Sequence, residues 1–233
     1  PVRLTVLSFL SPVCGQPVRP LPGIIKRIIG GRNAELGFFP WQALIVVEDM
    51  SRVPNDKNKK DAVNRTVEEI ILHVGFDIQN YNHDIALVKL KEKVTMDAYV
   101  MPVCLPQFEH ELEGPHPNTL GLVAGWGISN PNITVDEIIS NYSVTENMFC
   151  AGYYEGGKDT CLGDSGGAFV IQDPRTQRWV AQGLVSWGGP EECGMSCLPT
   201  VANARCLRGN EQNRESPSDP SPVTRSHLLA NRG

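Results

Sequence analysis

Apolar residues along this chain fall into short runs that are separated by glycine, proline and polar clusters. The clearest runs are residues 39–47, 70–74, 85–90 and 120–127, and the β-branched stretch 44–47 suits a buried strand. Almost no segment repeats its apolar positions with the 3.6-residue period of an amphipathic helix. The pattern therefore predicts an all-β fold that is built of short strands.

Three stretches lack this strand character. Residues 1–26 are rich in proline and are predicted to form a linker. Residues 51–61 are polar and rich in lysine. Residues 195–233 are rich in proline, serine, asparagine and arginine with little apolar periodicity, a composition typical of disorder. A linker and a tail are thus expected to flank one region rich in strands.

Composition and charge limit the partners that this chain can have. Its 233 residues, 41% of them apolar, are enough for one large domain or two small ones. A net charge of −5, without a basic tract interleaved with aromatic residues, gives no reason to expect nucleic acid as a partner. The longest apolar runs are far too short to span a bilayer, so we expect a soluble chain and no membrane partner. An apolar run in residues 2–10 supports a signal peptide only weakly, since no small-residue cleavage site follows it.

The cysteines indicate an oxidising compartment. There are seven, with no Cys-x-x-Cys pair and no matching histidine spacing, which argues against a zinc site and for disulfides. Three N-glycosylation sequons, at Asn64, Asn132 and Asn141, fit a secreted, extracellular glycoprotein. Because the cysteine count is odd, at least one thiol is expected to be free or to pair between chains.

One stretch carries candidate chemistry, the glycine-rich segment 157–167 around Ser165. A serine hydroxyl is a weak nucleophile, so amide hydrolysis needs a neighbouring base and backbone N–H groups that face the developing oxyanion. Glycines on both sides of Ser165 allow a tight turn and a close approach of the main chain to a substrate. The segment therefore predicts the nucleophile loop of a serine protease, and the alternative is a glycine-rich surface loop.

Seven blocks of sequence resemble, in order, the trypsin-like serine endopeptidases of the chymotrypsin fold. They lie between about Cys14 and Gly194 and read KRIIGGRNAE, FFPWQALIVVED, NYNHDIALVKL, MPVCLP, LGLVAGWGISNPN, NYSVTENMFCAGYYEGGKDTCLGDSGGAF and QGLVSWGGPEECG. The resemblance implies a double six-stranded β-barrel that is incomplete in both barrels, because family segments are missing around residue 60, around residue 140 and after residue 194. It also implies a linker or light-chain remnant in residues 1–27, a truncated protease domain in 28–194 and a divergent tail, expected to be disordered, in 195–233.

The resemblance implies a role for each matching residue of the site. Ser165 would be the nucleophile, and the backbone N–H groups of Gly163 and Ser165 would form the oxyanion hole. Asp84 would orient a histidine base, although a turn residue entering a strand is the alternative for Asp84. The specificity pocket would comprise Asp159, which selects arginine or lysine, together with Ser186, Trp187 and Gly188.

The resemblance also implies how the protein would be activated and cross-linked. Cleavage of the Arg27–Ile28 bond would create an ammonium group on Ile28 that pairs with the buried carboxylate of Asp164. The implied disulfides are Cys14–Cys104 and Cys161–Cys193. Cys150 would lose its partner, because the cysteine that pairs with it in the family falls in a missing segment.

The catalytic base has no counterpart in this chain. Relatives carry it in a Thr-Ala-Ala-His segment, and residues 51–61 contain nothing of that kind. None of the histidines stands in that context; they are His73, His83, His110, His116 and His227. A base must reach the hydroxyl and be oriented by a carboxylate, so we do not expect any of them to replace it.

Two functions follow from these observations. By resemblance the chain derives from a secreted zymogen of the complement lectin pathway that cleaves proteins after arginine or lysine without a cofactor or metal, and the missing histidine predicts weak or absent activity. Its partners would be protein substrates with arginine or lysine at the cleaved bond, protease inhibitors and complement components. The alternative is a truncated splice form or gene-model fragment without catalysis, which acts at most as a binding module.

Overall fold

The computed structural model describes residues 14–19, 21, 33–47, 63–107, 115, 119–127, 144–152, 160–161, 163–188, 200–203 and 226–230. These residues contain strands and no helix, which confirms the predicted all-β class. The strands are β1 (Ala43–Val47), β2 (Val63–Leu72), β3 (Ala86–Leu90), β4 (Met148–Cys150), β5 (Ala168–Gln172), β6 (Trp179–Trp187), β7 (Thr200–Asn203) and β8 (Ser226–Ala230).

The strands form two four-stranded sheets. The first has the order β1-β8-β2-β3 and the second the order β4-β7-β6-β5, and all neighbours are antiparallel. The arrangement is consistent with a trypsin-type fold whose two sheets are incomplete. A barrel closes only when its strand number and stagger match, so sheets that lack strands keep open edges.

The tail also contributes strands. β7 and β8 both lie within residues 195–233, the segment that was expected to be a disordered tail. Each of them lies between two other strands: β7 pairs with β4 and β6, and β8 pairs with β1 and β2. The low apolar periodicity of the tail gave no sign of this, because unpaired strand edges accept a neighbour through backbone groups that any residue except proline supplies.

The two sheets differ in how well their side chains are buried. The core of the second sheet includes Val170, Val180 and Ala181, and Val170 is completely buried. In the first sheet no described side chain of β1, β2 or β3 reaches full burial, and Leu72 is 62% exposed. Apolar burial supplies most of the free energy of folding, so the second sheet is the better stabilised half of the molecule.

The N-terminal segment is anchored to the second sheet. The Cys14–Cys104 disulfide that the resemblance implied is present, with the two Cα atoms 5.0 Å apart, and both sulfurs are buried beside Val180. Gly15 adds backbone hydrogen bonds: its N–H donates to Pro102 O (2.9 Å) and its carbonyl accepts from Trp179 N (2.9 Å). The segment is thus held by a covalent bond and by pairing with the first residue of β6.

Gly15 is predicted to be essential for this anchoring. Its φ is +63°, and a Cβ atom at this position would overlap the Trp179 carbonyl and the Cys104 sulfur. We expect Gly15→Ala to lower the free energy of unfolding by at least about 2 kcal/mol, because left-handed strain and a backbone clash add together. Denaturant unfolding measures the change, and Val18→Ala in the same segment, where Val18 is 59% exposed, is the control. Equal stability of the two variants would contradict the docking of Gly15 on β6.

Candidate active site

The chain forms a tight turn around Ser165, between Gly163 and Gly167. Gly163 and Gly166 both have positive φ, +95° and +77°, which is why glycine occupies both positions. Asp164 N donates to Cys161 O (3.0 Å) and Gly167 N donates to Asp164 O (2.9 Å), which closes the turn. Ser165 is exposed at its apex. The local sequence therefore presents a serine hydroxyl to solvent on a fixed backbone.

Asp164 points the opposite way and is buried, with 4% of its surface exposed. Its Oδ1 accepts from Gly127 N and its Oδ2 from Cys161 N, both at 2.9 Å. Burial raises the pKa of this carboxyl above its ordinary value, although the two N–H groups oppose that shift. Gly125 and Gly127 leave the room it needs, because a Cβ on either would collide with the carboxylate. A buried carboxylate of this kind is costly without a cation beside it.

Asp84 reaches the same part of the molecule from the first half of the chain. It lies at the end of the turn between β2 and β3, and its Oδ2 accepts a hydrogen bond from Ser186 Oγ at 2.6 Å. The residue before Ser186 is Val185, whose carbonyl accepts from Gly166 N at 2.9 Å. Consecutive residues of β6 therefore bind the loop of the candidate nucleophile, Ser165, and the candidate orienting carboxylate, Asp84.

Two histidines lie in the turn that precedes Asp84. The rings of His73 and His83 are stacked, with centroids 4.4 Å apart and planes 11° apart. His73 Nδ1 accepts from Gly75 N at 3.1 Å, and His83 Nε2 lies 3.4 Å from Asn147 Nδ2. Burial and the neighbouring His83 lower the pKa of His73. The pair has a local structural role here, and the absence of a catalytic base stays a prediction from the sequence.

A polar cluster that sequence analysis did not identify joins this turn to residues 144–147, which directly precede β4. Asn82 Oδ1 accepts from Thr145 Oγ1 (2.8 Å) and from Asn147 Nδ2 (3.0 Å). The bond between Ser186 and Asp84 was also not predicted, since Ser186 was assigned only to the pocket. A serine within the apolar strand β6 was the available signal, because a half-buried hydroxyl there needs a partner.

The remaining predicted residues divide into described and undescribed positions. Trp187 ends β6 and Gly188 follows it, and both are half-buried beside Ser186. Cys161 is disulfide-bonded, and its implied partner Cys193 lies outside the described residues. Asn64 is exposed on β2, and Cys150 is a free, exposed thiol at the end of β4. The positions outside the described residues also include Arg27, Ile28, Asp159, Asn132, Asn141, His110 and His116.

Within the part of the chain that the structure describes, no three His, Cys, Asp or Glu side chains lie close enough to hold a metal ion. Nor does it contain a helix that is long and apolar enough to cross a membrane.

An exposed serine on a turn with two glycines of positive φ is thus joined through β6 to Asp84. A profile of the family described as Trypsin matches residues 47–206, more than half of the chain. The chain therefore belongs to the trypsin family.

Individual relatives agree with this assignment. "Clotting factor C" of Tachypleus tridentatus is 41% identical over 168 residues, which is 60% of this chain and 16% of that protein. "Complement C1s subcomponent" of Bos taurus is 33% identical over 243 residues, and "Calcium-dependent serine proteinase" of Mesocricetus auratus is 34% identical over 251; each covers 78% of this chain and 34% of the relative. The chain thus spans between 16% and 34% of the length of these relatives.

The alignment with Complement C1s subcomponent also bears on the missing segments. It runs over 243 positions, more than the 233 residues of the whole chain, although it contains only 78% of them. The alignment must therefore pass over stretches of the relative that have no counterpart in this chain.

Gly125→Ala tests the seat of the Asp164 carboxylate. The new methyl group would displace Asp164 Oδ1 from Gly127 N, so we expect the free energy of unfolding to fall by about 1–3 kcal/mol. Amide hydrogen exchange at Gly166 and Gly167 should become faster at the same time, because their turn depends on Asp164. Gly188→Ala is the matched control, since a Cβ there meets nothing within 4 Å. Unchanged exchange in Gly125→Ala would show that the loop does not depend on this carboxylate.

The lowered pKa of His73 predicts a pH dependence of stability. Its folded pKa lies below the ordinary value of about 6.5, so the unfolded chain binds the proton at higher pH, and stability falls as the pH falls through this region. We expect unfolding in urea at about pH 7.5 and about pH 5.5 to show a larger loss for the wild type than for His73→Asn, whose amide oxygen can still accept from Gly75 N. The titration of Asp164 contributes equally to the wild type and to His73→Asn, so it cancels when their losses of stability are compared. Parallel pH profiles would contradict the prediction.

Proposed function

We propose that this chain derives from a secreted serine endopeptidase precursor of the complement lectin pathway that cleaves proteins after arginine or lysine. In this chain the nucleophile loop is formed but the base is missing, so hydrolysis is severely impaired or absent. The observation that carries the proposal is the exposed Ser165 between Gly163 and Gly166, bound through β6 to Asp84. The exposed sequon at Asn64 supports a glycosylated, extracellular protein.

The proposed loss of activity follows from the role of the histidine. Without a base, the Ser165 hydroxyl keeps its proton, and Asp84 has no imidazole to orient. In another serine protease the loss of the triad histidine alone costs roughly 10⁶ in turnover. That factor corresponds to about 8 kcal/mol of activation free energy. The N–H groups of Gly163 and Ser165 would leave a small residual rate.

Activation is proposed to act on Asp164. Among the described residues Asp164 makes no ion pair, and its pKa is raised by burial. Cleavage of the Arg27–Ile28 bond would supply the ammonium group of Ile28 as a partner, which would lower that pKa and fix the loop. Asp159 would then select arginine or lysine in the pocket beside Trp187 and Gly188.

A second candidate is a module that binds without cleaving. The missing histidine segment favours it, because a formed loop and pocket can hold a substrate, an inhibitor or a complement component without a base. By the resemblance, residues 186–188 would pair with the main chain of the bound protein, as in β-strand addition, which requires β7 to leave that edge of β6. The two candidates differ in whether Ser165 reacts.

Reaction of Ser165 with a fluorophosphonate probe tests the proposal. The secreted full chain is cleaved at Arg27–Ile28 and compared with Ser165→Ala and with a graft in which a trypsin-family segment bearing the catalytic histidine replaces residues 51–61. We expect the wild type to label no faster than Ser165→Ala. We expect the graft to label at Ser165 and to lose that labelling when Ser165→Ala is added.

Each result of this experiment has a distinct meaning. Strong labelling of wild-type Ser165 would show that another group supplies the base and would overturn the proposed inactivity. A folded, cleaved graft that does not label would overturn the proposal that the missing base accounts for the loss of activity. Capture of protease inhibitors or peptide substrates by the unreactive wild type would favour the binding module.

A further inference from the structure

β8 holds the first sheet together, because it lies between β1 and β2 in the strand order β1-β8-β2-β3. β1 pairs with β8 along its whole length, from Ala43↔Ala230 to Val47↔Ser226. β2 pairs with the other side of β8, from Val63↔Ala230 to Thr66↔His227. In the described sheet β1 has no other strand as a neighbour. Without β8, the sheet would separate into β1 and the β2–β3 pair.

β8 lies outside the part of the chain that matches the trypsin profile. The trypsin profile ends at residue 206, and β8 spans Ser226–Ala230. The strand before it in the sequence is β7, which belongs to the second sheet. β8 is therefore not joined to β1 or β2 by a short turn, so the chain connection does not force it to stay between them.

The space that β8 fills between β1 and β2 is lined by backbone groups of those two strands; we call it the gap between β1 and β2. β8 is antiparallel to both neighbours, so β1 and β2 run parallel to each other and determine the direction of whatever lies between them. A central strand uses its N–H and C=O groups on both sides, and its departure would leave two facing rows unpaired. An extended peptide is the ligand that satisfies both rows at once.

We propose that the gap between β1 and β2 is a β-strand acceptor site, and that its occupant is the chain's own segment Ser226–Ala230, bound as an exchangeable donor strand. The same site takes this segment as a separate peptide when the attached copy cannot pair. The proposal is independent of catalysis at Ser165, because it rests on the pairing of the first sheet alone.

Leu228→Pro in the full chain disables the attached strand. Proline lacks the N–H group and cannot lie in the middle of a sheet, so β8 loses its place while the rest of the sequence is unchanged. The control is Gln212→Pro, which lies outside both tail strands. Amide hydrogen exchange is measured in β1 and in residues 63–66, with β5 and β6 as an internal reference for the second sheet.

We expect exchange in β1 and in residues 63–66 to become at least about tenfold faster in Leu228→Pro and to stay as in the wild type in Gln212→Pro. A synthetic peptide of residues 224–231 should then restore protection and bind with one-to-one stoichiometry. The same peptide carrying Leu228→Pro should do neither, which separates strand pairing from adsorption of an apolar peptide.

Unchanged exchange in Leu228→Pro would overturn the assignment of β8 as the occupant. If Leu228→Pro loses amide protection in β1 and in residues 63–66 and the peptide does not restore it, the proposed acceptor site is wrong. The same conclusion holds if β5 and β6 lose protection as well. If the wild-type protein sediments as a dimer whose two copies exchange their β8 strands, the occupant of the gap is not the segment of the same chain, and the proposal is wrong on this point. Restoration by the matched peptide alone supports the proposal.

Discussion

The backbone of β6 is the constraint on which the rest of the described structure depends. Its first residue, Trp179, pairs with Gly15 of the N-terminal segment and with Cys104. Its edges pair with β5 and β7, and its last residues bind the loop of Ser165 and the carboxylate of Asp84. Buried N–H and C=O groups must find partners, so a change in the path of β6 would disturb all these contacts together. The candidate site is therefore only as well ordered as this strand.

The candidate site combines residues from two parts of the molecule that differ in the burial of their apolar side chains. Ser165 and Asp164 lie in the loop that precedes β5 of the second sheet, whose core is buried, whereas Asp84 lies in the turn between β2 and β3 of the first sheet, whose strands remain partly exposed. Local openings of a protein occur where few apolar groups are buried. The Asp84 carboxylate is thus expected to be more mobile than Ser165, and the hydrogen bond from Ser186 limits its movement.

Local pattern in the sequence predicted part of the fold, although the apolar run 120–127 forms only an isolated bridge, between Leu122 and Val170. Short apolar runs identified β1, β3 and the all-β class, and the glycines beside Ser165 match the two positive φ angles of its turn. The places of β7 and β8 could not be predicted, because they are set by the open edges of other strands and not by their own composition. The bonds of Asp84 and Asn82 likewise join residues far apart in sequence, so they became visible only in three dimensions.

The position of β8 has a consequence for biosynthesis. The ribosome releases β1, β2 and β3 first, yet the strand that joins β1 to β2 is made only after β4, β5, β6 and β7. The first sheet must therefore wait with two open edges until β8 emerges, a topology of high contact order that slows folding and exposes the nascent chain to aggregation. For such a chain, the yield of folded protein is decided by chaperone binding during this delay as much as by the stability of the finished fold.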